Sequence, residues 1–319
     1  MKVKNKRMVE ISHVFSESFH VLRKYDWFRR GRRVSSPELV FMVDDSGFYT
    51  GGLADRFKGA VSAYAWCLCN NVSFKIRYIF PFELSDFLLP ATHDWILGPG
   101  EFSRNLFDTR LMYARGEHGR RLLALKPRKQ IHYYGNMDVL PAINAHYGTS
   151  YGWGELFRRL FKPCPVLEER VNSVKASIGA SYVSAVFRFQ NLLGDFEEYH
   201  FKSEEDNTKR EEIISKCLEG IRRIQELHSG MPVLVTSDSV TFLERVSSLD
   251  GVHVIPGKVV HVGSKGGEKY ETYLKSFVDF YTLAGSEKIY GLATVEMYKS
   301  EFPMYAAKVN DIPFERIML

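Results

Sequence analysis

Ser181-Tyr-Val-Ser-Ala-Val-Phe-Arg-Phe-Gln-Asn-Leu-Leu-Gly-Asp-Phe-Glu-Glu198 decides how the rest of the chain is read. An apolar, β-branched and aromatic run without polar alternation is what a strand buried on both faces requires, and such strands belong to parallel sheets covered by helices. The run closes on Arg188, and the turn after it carries Asp195, Glu197 and Glu198. In open parallel sheets ligands collect beyond the carboxyl ends of the strands. Arg188 stands at such an end and is the first candidate site residue.

Downstream, strand and helix alternate. Thr208 with Glu211 predicts a capping box, and Ile213, Ile214, Cys217, Leu218, Ile221 and Ile224 predict a helix over 208–228. Val233–Thr236 reads as a buried strand, Ser237-Asp238-Ser239 as the cap of the next helix, and Val252–Ile255 as another strand. A basic loop containing His261 leads to a helix over Tyr270–Leu283 and a short strand at Lys288–Tyr290. Gly291 to Thr294 reads as the turn into a last helical region with Ser300-Glu301-Phe302-Pro303. This order predicts an α/β fold with a parallel sheet and right-handed crossovers.

Upstream the pattern is less regular. Residues 8–28 predict a helix with an aromatic face and a basic end, and Leu39–Val43 a strand running into Asp44-Asp45-Ser46-Gly47. Thr50-Gly51-Gly52-Leu53-Ala54-Asp55-Arg56 then opens a helix of small and apolar residues, a strand-turn-helix unit able to bring backbone close to a ligand. Lys75–Phe80 predicts a second strand. From Ala91 to Pro141 periodicity is poor and His93, His118, His132, Tyr133 and Tyr134 are frequent, which predicts loops and short elements. The paired prolines of Lys162-Pro163-Cys164-Pro165 predict the linker, dividing the chain into domains 1–165 and 166–319.

The 319 residues, 45% hydrophobic and 25% charged, fit an ordinary globular chain of two domains. The longest uncharged stretch, Gly59–Phe74, is 16 residues, too short to span a bilayer. The basic N-terminus lacks the apolar segment of a secretory signal, and four cysteines suit thiols in a reducing compartment, so a cytoplasmic location is expected. Cys67 and Cys69 read as helix packing and His253 and His261 as a packed and a solvated histidine, so no metal site is expected. Net charge is +5, with basic clusters at Arg29-Arg30-Gly-Arg32-Arg33, Arg115–Lys129 and Arg158-Arg159. These are solvated faces, or contacts to phosphate or to an anionic membrane surface through the N-terminal region.

No Walker loop, Gly-x-Gly-x-x-Gly turn, Gly-x-Ser-x-Gly elbow, Cys-x-x-Cys pair or Asp-x-Asp pair is present. What remains is the set of strand ends: Arg188, Ser237-Asp238, Ile255-Pro256-Gly257 and Gly291 to Thr294. Arginine suits a diphosphate because its planar fork donates two parallel hydrogen bonds and its charge does not titrate. Helix N-termini after Ser237 and Thr294 would add backbone donors.

Gly51-Gly52-Leu53-Ala54-Asp55-Arg56, the strand ending in Arg188, the Ser237-Asp238 strand end and Tyr290-Gly291 with Ser300-Glu301-Phe302 stand in the order found in the fucosyltransferase superfamily that uses GDP-fucose. The chain resembles that family over residues 47 to 310. The resemblance implies two Rossmann-like domains facing a cleft, the GT-B type, with the donor on the C-terminal domain and the acceptor on the other. It implies an inverting transfer to a glycan or glycolipid hydroxyl that needs no metal and involves no nucleic acid. Arg188 would contact the donor diphosphate and Asp238 the nucleoside, while Ser300 and Phe302 would lie near the phosphates, with Gly51, Gly52, Arg56, Ser237 and Thr294 completing the donor set. The family's His-x-Arg is Val186-Phe187-Arg188 here, and Pro303 stands where its second serine would be. Asp195, Glu197 and Glu198 are open as the catalytic base or as solvated carboxylates. The alternatives are another nucleotide-sugar donor, or a non-catalytic protein binding nucleic acid or acidic glycan.

Overall fold

A computed structural model describes residues 19, 24–25, 37–46, 48, 50–114, 116–127, 129–195, 203–257, 259 and 268–319. The expected N-terminal helix lies, apart from Phe19, Lys24 and Tyr25, outside the described residues, as do Glu197, Glu198 and His261. The chain divides into two units. One holds the described residues up to Asp86 with Pro90–Lys162; the other holds Phe87–Leu89 with Pro163–Leu319.

The first unit is built on β1 (Glu38–Val43), β2 (Ser73–Tyr78), β4 (Thr109–Ala114) and β5 (Gln130–Gly135), with helices α1 (Leu53–Asn70), α2 (Leu140–Tyr147) and α3 (Trp153–Leu160). The strands form one parallel sheet of order β2-β1-β5-β4. Two short strands, β3 (Leu88–Pro90) and β6 (Phe161–Pro163), pair separately. α1 is buried over most of its circumference, so its small residues serve packing from several sides. Its closest approach to the sheet is at Gly59, where a Cβ would come within 1.9 Å of the Gly135 carbonyl oxygen.

The stretch Ala91 to Pro141, expected as loops and short elements, contains the six-residue strands β4 and β5, and every residue of β5 is buried. Two of the polar residues that broke the apolar pattern, Gln130 and His132, are hydrogen bonded inside the unit. Gln130 donates through Nε2 to Glu38 Oε1 at 2.7 Å and to the Glu101 carbonyl at 2.6 Å, while its Oε1 accepts from Ser103 N at 2.9 Å. His132 is hydrogen bonded to Tyr25 and Gln130, and burial pushes its imidazole down to about 3, so it packs as a neutral ring.

The second unit contains α4 (Pro165–Ile178), β7 (Val183–Phe187), α5 (Asn207–Leu227), β8 (Val233–Ser237), α6 (Val240–Val246), β9 (Val252–Val254), α7 (Tyr270–Leu283), β10 (Lys288–Ala293), α8 (Phe302–Val309) and β11 (Phe314–Met318). Its five strands form a parallel sheet of order β11-β10-β7-β8-β9, and every residue of β7 and β8 is buried. The run that opened the sequence reading is therefore the central strand. Its side chains join Ile213, Cys217 and Ile221 of α5 and Phe242 of α6 in one core. α5 is capped two residues earlier than Thr208, by the Asp206 side chain accepting from Thr208 N at 2.9 Å. Gly291–Ala293 is strand and not turn, because β10 is held between β7 and β11 over its length.

Among the described residues no helix is long and apolar enough to cross a membrane. Cys67 is buried in α1 and Cys217 in the second core, each a free thiol pushed up by burial.

Candidate active site

From β7 the second sheet grows through β8 and β9 on one side and, after α7, through β10 and β11 on the other. The strand order reverses between β7 and β10, and ligands of open parallel sheets bind beyond the carboxyl ends of the strands at such a reversal. A pocket lies there, lined by Val186, Arg188, Gly291, Leu292, Ala293, Tyr298, Lys299, Ser300, Pro303 and Arg316. Three of these side chains are cationic and none is acidic, a composition suited to a diphosphate.

Arg188 follows β7 directly, with its side chain 17% exposed, and its Nη1 lies 2.9 Å from Asp238 Oδ2. Asp238, at the end of β8, is buried and also accepts from the backbone N–H of Phe189 at 2.8 Å and Gln190 at 2.7 Å. Gln190 sits in the left-handed region at φ 54°, so those two bonds fix the sharp turn that follows Arg188. Burial pushes the Asp238 carboxyl up, and the Arg188 charge and the two amides oppose that shift. Both carboxylate oxygens are thus engaged within the protein. Asp238 holds the turn and aims Arg188.

Asp195 has a similar occupation. Its Oδ2 accepts from Ser239 Oγ at 2.8 Å and from Thr241 N at 2.8 Å, tying the turn after β7 to the first turn of α6. It does not line the pocket around Arg188. Its Oδ2 thus positions the turn, while its Oδ1 is buried without a hydrogen-bond partner among the described residues. Ser237 is also used internally, its Oγ accepting from Ser239 N at 3.1 Å.

On the other side of the reversal, Thr294 is buried directly after β10 and leads into a turn; α8 begins only at Phe302, so no helix N-terminus follows Thr294 itself. Ser300 lines the pocket and its Oγ accepts from Phe302 N at 3.2 Å. The Phe302 ring packs edge-on against Phe280, 5.3 Å between centroids, and is not part of the pocket lining. Arg316 was not singled out from the sequence. It lies on β11 and donates from Nη2 to the Ser300 carbonyl at 2.8 Å, bracing the turn that closes the pocket. It stands in Phe314-Glu-Arg-Ile-Met318, a short segment at the end of the sequence without strict alternation, where the charge looks like a solvated one.

Gly51, Gly52 and Arg56 belong to the first unit. Gly51 has φ +76°, and a Cβ there would come within 2.4 Å of Asp55 Oδ2, the oxygen that accepts from Gly52 N at the start of α1. Arg56 is only 2% exposed: it donates to the Gly51 carbonyl at 3.2 Å, Tyr78 Oη at 2.5 Å and the Phe80 carbonyl at 3.1 Å. Its guanidinium ties α1 to the end of β2, a structural use in place of the donor contact expected for it. Among the described residues no group of three or more His, Cys, Asp or Glu side chains is placed to hold a metal ion.

No protein-family model matches the chain, and no curated protein sequence does. Solved structures do match in fold. Arabidopsis thaliana FUT1, a mutant in complex with GDP, superposes with a TM-score of 0.56 at 13% identity, covering 95% of this chain and 74% of that one. NodZ α1,6-fucosyltransferase soaked with GDP-fucose gives 0.52 at 12% identity, covering 86% and 92%. The Bradyrhizobium NodZ structure gives 0.52 at 12% identity, covering 85% and 92%. The two-unit parallel α/β architecture is therefore that of these fucosyltransferases.

Proposed function

We propose that the chain is a glycosyltransferase that takes a GDP-sugar, GDP-fucose first among them, and moves the sugar to a glycan or glycolipid hydroxyl with inversion. The observation that carries this reading is the cationic pocket at the strand reversal, lined by Arg188, Lys299 and Arg316, with Asp238 behind Arg188 taken up by that guanidinium and two backbone amides. The fold match to structures in complex with GDP or soaked with GDP-fucose supports the choice of nucleotide.

In an inverting transfer the acceptor oxygen attacks the anomeric carbon while the bond to the diphosphate breaks on the opposite face. Charge accumulates on the departing diphosphate, and fixed cations there stabilise the transition state more than the ground state. Arg188, held by Asp238, supplies that charge, and Arg316 adds a second guanidinium. The acceptor proton needs a carboxylate, and Asp195 and Glu197, which follow β7 in the chain, are the candidates for this role in the proposal. The reaction as written requires no metal.

The test is a thermal-shift panel of GDP, GDP-fucose, GDP-mannose and UDP-sugars, with and without chelator. A ligand that binds the native state alone raises stability by mass action. Stabilisation by guanine nucleotides only, unaffected by chelator, is expected. A chain indifferent to every nucleotide would refute the proposal.

A further inference from the structure

The first unit has a strand reversal of its own. β2 lies on one side of β1 and β5 on the other, so the ends of β1 and β5 flank the place where strand order turns back. A cavity of about 210 Å³ opens there, with Tyr25, Asp44, Arg77, Phe102, Arg104 and Tyr134 in its wall. That volume equals roughly seven waters at about 30 Å³ each. It falls below the roughly 300–1,000 Å³ typical of drug-sized ligands and is of the size of one sugar ring.

Its hydrogen-bonding character follows from the network behind it. Gln130 Nε2 donates to Glu38 and to the Glu101 carbonyl, so Gln130 Oε1 is the acceptor for His132 Nε2 at 2.8 Å. The neutral His132 therefore carries its proton on Nε2 and receives the Tyr25 O–H at Nδ1. Tyr25 has only lone pairs left to offer. Tyr134 O–H is likewise spent on Asp44 Oδ2 at 3.2 Å, and Asp44 Oδ1 accepts from Ser46 N at 3.0 Å. Apart from Ser46 Oγ, a buried hydroxyl without a partner among the described residues, this side of the cavity accepts hydrogen bonds and asks for hydroxyl donors.

The donors come from arginine. Arg77 lies over the Phe102 ring, 4.7 Å from its centroid, and its Nε is buried without a hydrogen-bond partner among the described residues. Arg104 is near enough that both guanidinium charges bear on Tyr25. Lys24 and Asp45 satisfy each other at 2.5 Å and leave the balance to the arginines. A buried donor left unmade is costly, and a planar fork is matched by a carboxylate. A phosphate dianion would meet about twice the repulsion from Asp44 that a single carboxylate meets; a neutral sugar would leave Arg77 unanswered.

We propose that this cavity binds one acidic sugar, a pyranose whose carboxylate takes the Arg77 fork while ring hydroxyls donate to Asp44 and Tyr25. The site lies in the first unit and stands independently of the donor pocket. The test uses the full chain in calorimetric and saturation-transfer titrations with D-glucuronate, D-galacturonate, methyl glucoside and inorganic phosphate. The sugar acids bind, methyl glucoside binds about tenfold or more weakly, and phosphate does not displace them. Arg77→Ala weakens the sugar acids by about tenfold or more, and Arg77→Lys recovers part of the loss because it restores charge without the fork. Asp44→Asn weakens the sugar acids without promoting phosphate. GDP titrated into the Arg77→Ala protein reports that the chain is folded. Equal binding by wild type and Arg77→Ala, equal binding of methyl glucoside, displacement by phosphate, or no binding of either sugar acid would each overturn the subsite. Failure of GDP to bind a wild-type chain that holds glucuronate would sink the transferase reading and leave this one standing.

Discussion

At the scale of single residues, the pair Arg188 and Asp238 shows how a buried carboxylate makes a surface cation useful. Asp238 spends one oxygen on the Gln190 amide and the guanidinium, the other on the Phe189 amide, so Arg188 enters its pocket already ordered. Binding then need not immobilise a long side chain. Arg188→Lys keeps the charge and loses the planar fork, so GDP affinity measured by calorimetry is expected to fall by about tenfold or more, and Arg188→Ala further. Unchanged affinity in both would remove Arg188 from the site. Arg188 was legible in the sequence because a charge closing a long apolar run stands out. The roles of Asp195 and Asp238 were not, because whether a carboxylate faces solvent or caps a neighbouring turn depends on which strand end lies beside it. A different residue governs the acid response. His132 titrates near 6.5 when free and is pushed down to about 3 by burial. Below 6.5 the unfolded chain takes up a proton that the folded chain refuses. The stabilisation is complete above that value and is lost as pH falls toward 3, by about 1.4 kcal/mol per pH unit. His132→Gln is expected to flatten this part of the pH dependence of denaturant unfolding. An unaltered slope would assign the acid sensitivity elsewhere.

At the scale of elements, α1 and β5 show two opposite ways in which sequence conceals packing. β5 is the most completely buried strand of the first sheet, yet Gln130, His132 and Tyr134 look like residues of a polar connection because most of their partners, Glu38, Glu101, Ser103, Tyr25 and Asp44, are remote in sequence. β7, β8 and α7 needed no such partners, and their apolar runs and helical spacing declared them. In α1 the small residues looked like generic tight packing, whereas one of them sets the helix-to-sheet distance. On intrinsic propensity Gly59→Ala should favour the helix by about 1 kcal/mol. Its new methyl would stand 1.9 Å from the Gly135 carbonyl oxygen, a backbone atom that cannot swing away. Overpacking of this kind costs about 1–3 kcal/mol or more, so the sign reverses. Gly59→Ala is expected to lower the urea midpoint of the first unit; a raised midpoint would mean that α1 can slide on the sheet.

At the scale of the whole molecule, each unit carries a pocket at its own strand reversal, and the chain is not simply cut in two. Phe87, far from the second unit in sequence, is fully buried within it: its ring stacks on Phe277 at 4.6 Å and on Tyr270 at 4.9 Å. Periodicity gave no hint of this, since Phe87 sits in a proline-bracketed segment whose neighbours belong to the first unit. The placement makes stability separable by unit. Phe87→Ala removes a buried ring and is expected to cost about 3–5 kcal/mol, felt as faster amide hydrogen exchange in β7, β8 and α7. Nucleotide acts on the same unit with opposite sign, contributing about 2.7 kcal/mol at a hundredfold excess over its dissociation constant. Saturating GDP should therefore slow exchange again in Phe87→Ala, at peptides from β7 and β10. The same GDP added to Gly59→Ala should leave exchange in β1 and β5 as it was. Protection appearing in β1 and β5 and absent from β7 would place the nucleotide in the first unit, and the assignment of Arg188 to the diphosphate would fall with it.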